Sequence, residues 1–207
     1  LVQAPTGIGK TMAAILPALK TLSHSKYDRM FYLTARSTGK QVAEEAFDIL
    51  SSQDLRLKVV TLTAKEKICF NTEAECMRDA CEYARGFYDR IDAAVSHAYQ
   101  TDQWHREFIE QAAQQFQVCP FEFSLELSEL ADCIICDYNY VFDPQAHLRR
   151  FFARLRESYL FLVDEAHNLV DRSREMYSAE IHKKSFLAFR RLTKEALPDI
   201  SGILGKD

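Results

Sequence analysis

A phosphate-binding loop is indicated near the start of the chain by Ala-Pro-Thr-Gly-Ile-Gly-Lys-Thr, residues 4–11. Its glycines make the backbone flexible enough for the N–H groups to wrap phosphate oxygens. Lys10 would neutralise the β and γ phosphates, and the Thr11 hydroxyl would hold magnesium. The apolar run that follows predicts a helix whose N-terminus favours the bound anion. The sequence therefore predicts that ATP and magnesium bind through Thr6, Gly7, Ile8, Gly9, Lys10 and Thr11.

Two adjacent carboxylates, Asp164 and Glu165, supply the second half of a nucleotide site. They directly follow the apolar run 159–163, which predicts a strand. In this position Asp164 would hold magnesium, and Glu165 would orient a water molecule and deprotonate it. With Lys10, these are the predicted catalytic residues for hydrolysis of the terminal phosphate bond.

Four cysteines lie between these two motifs at Cys69, Cys76, Cys81 and Cys119, with the spacings C-x6-C, C-x4-C and C-x37-C. Four thiolates suit a [4Fe-4S] cluster, and the same ligands could alternatively hold zinc or remain unligated. Cys133 and Cys136 belong to a predicted strand, in which residues three apart point to opposite faces. We predict that these two pack in the core.

Strands that alternate with helices must position these residues. Strand-like apolar runs occur at 30–34, 57–62, 131–136 and 159–163, and a helix is expected from Ser37 or Thr38 to about Leu50. The alternation predicts an α/β fold with a parallel sheet covered by helices on both faces. Between Ala64 and about Phe121 we find no strand-like run. We expect this segment to be an insertion whose folding depends on the cysteine-bound metal.

The combined motifs resemble those of the DinG/XPD family of iron-sulfur superfamily 2 DNA helicases. The resemblance is carried by A-P-T-G-I-G-K-T, by L-T-A-R-S at 33–37, by D-E-A-H-N at 164–168 and by the four spaced cysteines. Ala4, which stands where the general loop pattern has Gly, is usual in that superfamily. The resemblance implies a RecA-like P-loop domain with a parallel β-sheet flanked by helices, plus a mainly helical iron-sulfur insertion.

The resemblance also implies an ATP-dependent helicase that moves 5′ to 3′ on single-stranded or forked DNA. The residues implied to contact DNA are Thr34, Arg36, Ser37, Lys67 and Arg85, to which Lys65 is added as a further candidate. His167 would lie between the nucleotide and a neighbouring domain. Each basic residue is alternatively an ordinary solvated charge. Two other functions stay open: a P-loop translocase or helicase-nuclease component that does not unwind, and a redox-sensitive DNA-binding module.

The chain begins at Leu1, and the three residues before the loop are too few for its feeding strand, so we expect a fragment of a longer protein. The expected division is 1–63 and 122–172 for the RecA-like domain, 64–121 for the insertion and 173–207 for the start of an arch-like helical domain. A second RecA-like domain and its arginine-rich motif are missing from the sequence. We therefore expect the 207 residues alone to hydrolyse ATP slowly or not at all.

Composition restricts the class of protein. A formal net charge of -4 argues against a protein that coats nucleic acid indiscriminately, although it permits a local basic groove. No apolar run approaches the roughly 20 residues of a membrane helix, and the N-terminus lacks the pattern of a signal peptide. We expect a cytoplasmic, bacterial protein with no membrane partner.

Overall fold

The computed structural model of the chain describes residue 3 and residues 9–24, 26–71, 76, 80–144, 148–152, 157–180 and 182–196. Within these ranges the strands are β1 (Arg29–Thr34), β2 (Val59–Thr61), β3 (Gln103–Trp104), β4 (Cys133–Asp137) and β5 (Tyr159–Val163). All strand pairs are parallel, and the sheet order is β3-β2-β4-β1-β5. The predicted α/β fold with a parallel sheet is confirmed.

Helices connect and cover the strands. They are α1 (Lys10–Ser23), α2 (Ser37–Ser51), α3 (Lys65–Ile68), α4 (Phe87–Ala98), α5 (Arg106–Phe116), α6 (Pro120–Ser128), α7 (Asn139–Phe142), α8 (Arg149–Phe152), α9 (Leu169–Met176) and α10 (Lys183–Ala196). A 3-10 turn, Ala166–Asn168, leads from β5 towards α9. Of the helices in the described part of the chain, none has both the length and the apolar composition to cross a membrane.

The sheet separates two apolar layers. One layer joins α1 and α2 to the face that carries Tyr32 and Cys133, and the other joins α4, α5 and α6 to the face that carries Phe31 and Cys136. Both cysteines are fully buried, on opposite faces of β4, as predicted. Burial raises the pKa of the Cys133 thiol well above its ordinary value and that of Cys136 to about 12. Both side chains are therefore neutral packing groups.

The segment 64–121 differs from the prediction in one respect, because it contains strand β3. Trp104 is fully buried in this strand, and its indole N–H donates to the Ala98 carbonyl at 2.8 Å. Helices α4 and α5 bury Ile91 and Ile109 in the same apolar layer as the sheet. A strand of two residues is too short to give an alternating pattern, which is why the sequence did not reveal it. An apolar core therefore stabilises much of this segment, in addition to any bound metal.

Candidate nucleotide site and adjacent groove

The described part of the phosphate-binding loop is its end. Ala4, Thr6, Gly7 and Ile8 lie outside the described residues. Gly9 caps α1 with φ 79°, in the left-handed region that glycine adopts without strain, and its carbonyl accepts the first helical bond from the Ala13 N–H at 3.0 Å. Lys10 and Thr11 consequently occupy the first turn of α1, where helix N–H groups favour an anion.

The two carboxylates lie on a tight turn at the carboxyl end of β5. The Asp164 N–H donates to the Leu33 carbonyl of β1 at 2.8 Å, which extends the strand pairing by one residue. Glu165 has φ 50°, a left-handed conformation that a non-glycine residue rarely adopts. Its N–H donates to Asp164 Oδ1 at 3.0 Å, and its carbonyl accepts from the Asn168 N–H and Nδ2 at 2.9 and 3.2 Å. Asn168 thus stabilises the turn that carries both carboxylates.

Tyr32 of β1 joins the two halves of the site. Its side chain interacts with the side chains of both Thr11 and Asp164, although the residue is only 3% exposed. Burial raises the pKa of Tyr32 to about 12, the interaction with Thr11 opposes this, and the Asp164 charge adds to it. The predicted magnesium ligands of loop and strand therefore meet around one tyrosine. In the sequence Tyr32 looked like an ordinary strand residue.

Gly39, in the first turn of α2, allows this helix to approach Thr34 and Asp164 closely. A Cβ atom at this position would lie 2.1 Å from Thr34 Oγ1 and 3.4 Å from Asp164 Oδ2. Any larger residue would force the Thr34 side chain or α2 itself to move. Glycine is unfavourable inside helices, so its presence in the first turn of α2 was the available sequence signal for this contact.

His167 lies on the surface beside Glu165. Its Nδ1 is 3.3 Å from Glu165 Oε2, and its side chain is 73% exposed. A neighbouring domain could reach it directly. Its predicted role between the nucleotide and that domain stays a prediction.

A groove of about 970 Å³ lies at the carboxyl ends of β1, β2 and β4. Arg36, Ser37 and Lys67 line it, together with Lys65. Of the other residues predicted to contact DNA, Thr34 is buried with its Oγ1 3.5 Å from the Arg36 N–H nitrogen, and Arg85 does not line the groove. The groove thus collects one part of the predicted set, while Thr34 supports the backbone beneath it.

Lys40 and His105 strengthen the walls of this groove. Lys40 Nζ donates to the Leu62 carbonyl at 2.7 Å, and burial lowers the pKa of this lysine. His105 bridges two carboxylates of α2, with Nε2 3.0 Å from Asp48 Oδ1 and Nδ1 3.4 Å from Glu44 Oε1. Burial opposes the charged histidine, but its interactions with the Glu44 and Asp48 carboxylates outweigh burial and raise the pKa of His105 to about 9. The bridge joins α2 to the start of α5.

Stability should therefore fall as pH rises through this pKa. A folded-state pKa of about 9, above the ordinary 6.5, gives stabilisation that is complete below about pH 6.5 and lost as pH passes 9. After allowance for solvent screening, we expect His105 to contribute roughly 1–2 kcal/mol at the acidic end. Urea unfolding of the parent and His105→Gln at pH 6 and pH 9.5 should show a larger pH dependence in the parent. His182→Gln, at an exposed position, should behave like the parent. An equal change in the free energy of unfolding between pH 6 and pH 9.5 for the parent and His105→Gln would refute the bridge.

Of the four predicted ligand cysteines, Cys69, Cys76 and Cys81 precede α4, and Cys119 follows α5. Cys119 caps α6 and is mostly buried, which raises the pKa of its thiol, and the nearby Cys69 charge adds to this shift. Lys65 interacts with Cys76, and this interaction raises the lysine pKa. Arg90 connects the chain after Cys81 to the chain before Cys119, because its guanidinium donates to the Arg85 carbonyl at 2.8 Å and to the Gln117 carbonyl at 2.6 Å.

The chemistry of this donor set fits an iron-sulfur cluster. In the ranges that the structure describes, no three Cys, His, Asp or Glu side chains are grouped closely enough to hold a single metal ion. A [4Fe-4S] cluster makes a different demand, since each thiolate binds a different iron and the sulfur atoms stand farther apart. Four cysteine thiolates would supply that coordination.

The chain matches one family model and is similar to several known helicases. The DEAD_2 family model matches residues 35–186. The chain is 24% identical over 226 residues to the regulator of telomere elongation helicase 1 homolog of Caenorhabditis briggsae, which covers 88% of this chain and 22% of that protein. It is 30% identical over 113 residues to the Fanconi anemia group J protein homolog of Gallus gallus, which covers 54% of this chain and 9% of that protein. The chain thus spans about a fifth or less of the length of these relatives.

Two solved structures share the fold. An XPD helicase matches 97% of this chain and 35% of its own length, with a TM-score of 0.60 and 20% identity. A truncated XPD matches 97% of this chain and 58% of its own length, with a TM-score of 0.61 and 22% identity. The predicted RecA-like fold is confirmed. Both named sequence relatives come from animals, and the cytoplasmic, bacterial origin stays a prediction.

Proposed function

The chain belongs to the DEAD_2 family, and from this premise we propose that it carries the ATP-hydrolysing site of a DNA helicase. The family match agrees with the resemblance to DinG/XPD helicases, which is thereby confirmed. The proposed reaction is hydrolysis of the terminal phosphate bond of magnesium-bound ATP, coupled to movement along DNA. In the complete protein a second RecA-like domain would close over the nucleotide.

One observation carries the proposal: the Tyr32 side chain interacts with the side chains of both Thr11 and Asp164. These two residues come from distant parts of the chain, and both are of the types that ligate magnesium in P-loop enzymes. If the two segments were only an ordinary glycine turn and an ordinary acidic helix cap, we would not expect these side chains to lie close together. Their meeting supports a joint nucleotide site.

The proposed roles follow from this geometry. Lys10 neutralises the β and γ phosphates, Thr11 and Asp164 hold magnesium, and Glu165 orients the attacking water. Glu165 suits this role because its side chain is exposed, whereas Asp164 is half-buried. Magnesium, when bound, supplies charge neutralisation between the phosphates. Positioning by these side chains provides much of the rate.

The groove at the ends of β1, β2 and β4 is the proposed path for single-stranded DNA. Arg36 and Ser37 are exposed there, directly after β1, and Lys67 enters from α3. Arginine, lysine and hydroxyl groups are the usual partners of backbone phosphates. Movement from 5′ to 3′ and action on forked DNA belong to the proposal through the family.

The cysteines Cys69, Cys76, Cys81 and Cys119 are the proposed ligands of a [4Fe-4S] cluster. The cluster would brace the part of segment 64–121 that lies beside the groove, with Lys67 on the same side and Arg85 farther away. In the proposed organisation, 1–63 and 122–172 form the motor domain and 173–207 begins an arch-like helical domain.

Strand separation is the decisive test of this function. The complete protein, purified without oxygen, should unwind a forked duplex only when ATP and magnesium are both present. DNA-stimulated ATP hydrolysis without strand separation would favour a translocase or a helicase-nuclease component. DNA binding with no ATP hydrolysis would favour a redox-sensitive binding module and would overturn the proposal.

Replacement of Arg36 by Ala should weaken single-stranded DNA binding several-fold and similarly for all sequences. A lost phosphate contact should also reduce the slope of log affinity against log salt by about 1. Fluorescence anisotropy over a salt series would measure both quantities. Arg174→Ala is the matched control, because Arg174 is exposed and pairs with Asp171 at 3.2 Å, away from the groove lining. An unchanged salt slope for Arg36→Ala would remove this residue from the DNA path.

A further inference from the structure

Tyr138, directly after β4, touches the carboxylate turn from inside the protein. The residue is fully buried, and its hydroxyl donates to the Asp164 carbonyl, with the Glu165 carbonyl 3.1 Å away. Burial, followed by the Asp164 charge, raises the pKa of Tyr138 to about 12. The Tyr138 hydroxyl is thus a hydrogen-bond donor to the backbone of the turn.

The backbone that Tyr138 holds is the unusual part of the turn. Glu165 adopts φ 50° and ψ 43°, a left-handed conformation that side chains with a Cβ disfavour and that neighbouring bonds must maintain. The Tyr138 hydroxyl approaches this peptide from one side, and the Asn168 N–H and amide approach the same Glu165 carbonyl from the chain that follows. These contacts fix the direction in which the Glu165 side chain leaves the turn.

The residues on either side of Tyr138 face the groove instead. Asp137, Asn139 and Tyr140 all line it, and the Tyr140 hydroxyl donates to the Thr63 carbonyl at 3.3 Å. Asp137 also lies 3.5 Å from Arg172 of α9, a second groove residue that follows the carboxylate turn. The segment 137–140 therefore contacts the groove and the carboxylate turn with successive side chains.

We propose that Tyr138 is a positioning residue for Glu165, and that the segment 137–140 connects occupancy of the groove to the carboxylate turn. Loss of the hydroxyl should let the Glu165 peptide leave its left-handed conformation. The water-orienting carboxylate would then be aimed correctly for a smaller part of the time. Nucleotide binding, which depends on the loop and α1, should be preserved.

The structural half of this inference can be tested without any catalytic assay. In Tyr138→Phe, amide hydrogen exchange of residues 164–168 should accelerate at least about tenfold, with β1 unchanged as the internal reference. Tyr159→Phe is the matched control, because it removes a tyrosine hydroxyl that bonds the Phe151 carbonyl at 3.0 Å and Glu157, away from the turn. Unchanged exchange at 164–168 in Tyr138→Phe would overturn the positioning role.

The kinetic half rests on the proposed function and uses the complete protein. Tyr138→Phe should lower kcat of DNA-stimulated ATP hydrolysis about tenfold, with the KM for ATP within about twofold of the parent, since ground-state binding is retained. Tyr159→Phe should match the parent in both constants. A raised KM with unchanged kcat would contradict the inference. If the parent itself does not hydrolyse ATP, the proposed function fails, and the exchange measurement still decides whether Tyr138 positions the turn.

Discussion

Replacement of Glu165 by Gln is expected to lower kcat of ATP hydrolysis by roughly 10²–10⁴-fold, the usual contribution of a positioned general base. The glutamine side chain keeps the size of glutamate but cannot take a proton from water. The fold should be unaffected, because the turn is held by the Glu165 backbone groups and by Asp164 Oδ1. ATP affinity should change little, since Lys10 and Thr11 remain in the first turn of α1.

Steady-state hydrolysis by the complete protein, together with the equilibrium binding of a fluorescent ATP analogue, would separate these two effects. Asp171→Asn is the matched control: it removes a carboxylate from the first turn of α9 that is 81% exposed and pairs with Arg174. This control should retain parental kcat. A Glu165→Gln variant with more than about a third of the parental kcat would remove Glu165 from the role of base.

The parts of the fold that the sequence predicted are those encoded by local pattern. The strands at 30–34 and 159–163 were predicted because they are continuous apolar runs, and helix α2 because its apolar residues recur at helical spacing. Strand β3 was missed because Gln103 and Trp104 become a strand only by pairing with Val59 and Val60. Its existence depends on tertiary contacts that local propensity does not contain.

The same distinction applies to the site. Lys10, Thr11, Asp164 and Glu165 belong to motifs whose residue types state their chemistry. Tyr32 and Tyr138 do not belong to such a motif, since a tyrosine in or next to an apolar strand usually packs in the core. Only the parallel pairing of β1 with β4 and β5 brings these hydroxyls to the carboxylate turn. Supporting contacts of this kind arise from the topology of the sheet, and sequence motifs do not predict them.

A smaller part of the insertion depends on metal for its folding than its low apolar content predicted. Helices α4, α5 and α6 contact one another and share a core that includes Ala94, Ile109 and Phe123. This part has the means to fold without a cofactor. The part that precedes α4 contains Cys69, Cys76 and Cys81, and those of its residues that the structure describes contribute fewer buried apolar groups. Metal-coupled ordering should therefore be concentrated before α4.

Replacement of Cys119 by Ser is accordingly expected to abolish the iron content without unfolding the helices behind it. The parent, purified without oxygen, should be brown and contain about four iron atoms per chain, whereas Cys119→Ser should be nearly colourless. Hydrogen exchange should rise in α3 and around residues 81–86, while α4 and α5 keep their protection. Cys133→Ala, which alters a fully buried thiol in β4, should retain its iron.

Metal analysis, visible absorbance and hydrogen exchange on the same three proteins would decide this prediction. Stoichiometric zinc with no iron in the parent would overturn the iron-sulfur assignment, and full iron in Cys119→Ser would remove Cys119 from the ligand set. Loss of protection throughout α4 and α5 in Cys119→Ser would mean that the apolar core around Trp104 cannot stand without the metal. The bond from the buried Trp104 indole to the Ala98 carbonyl argues for the opposite result, because it joins β3 to α4 without involving a cysteine ligand.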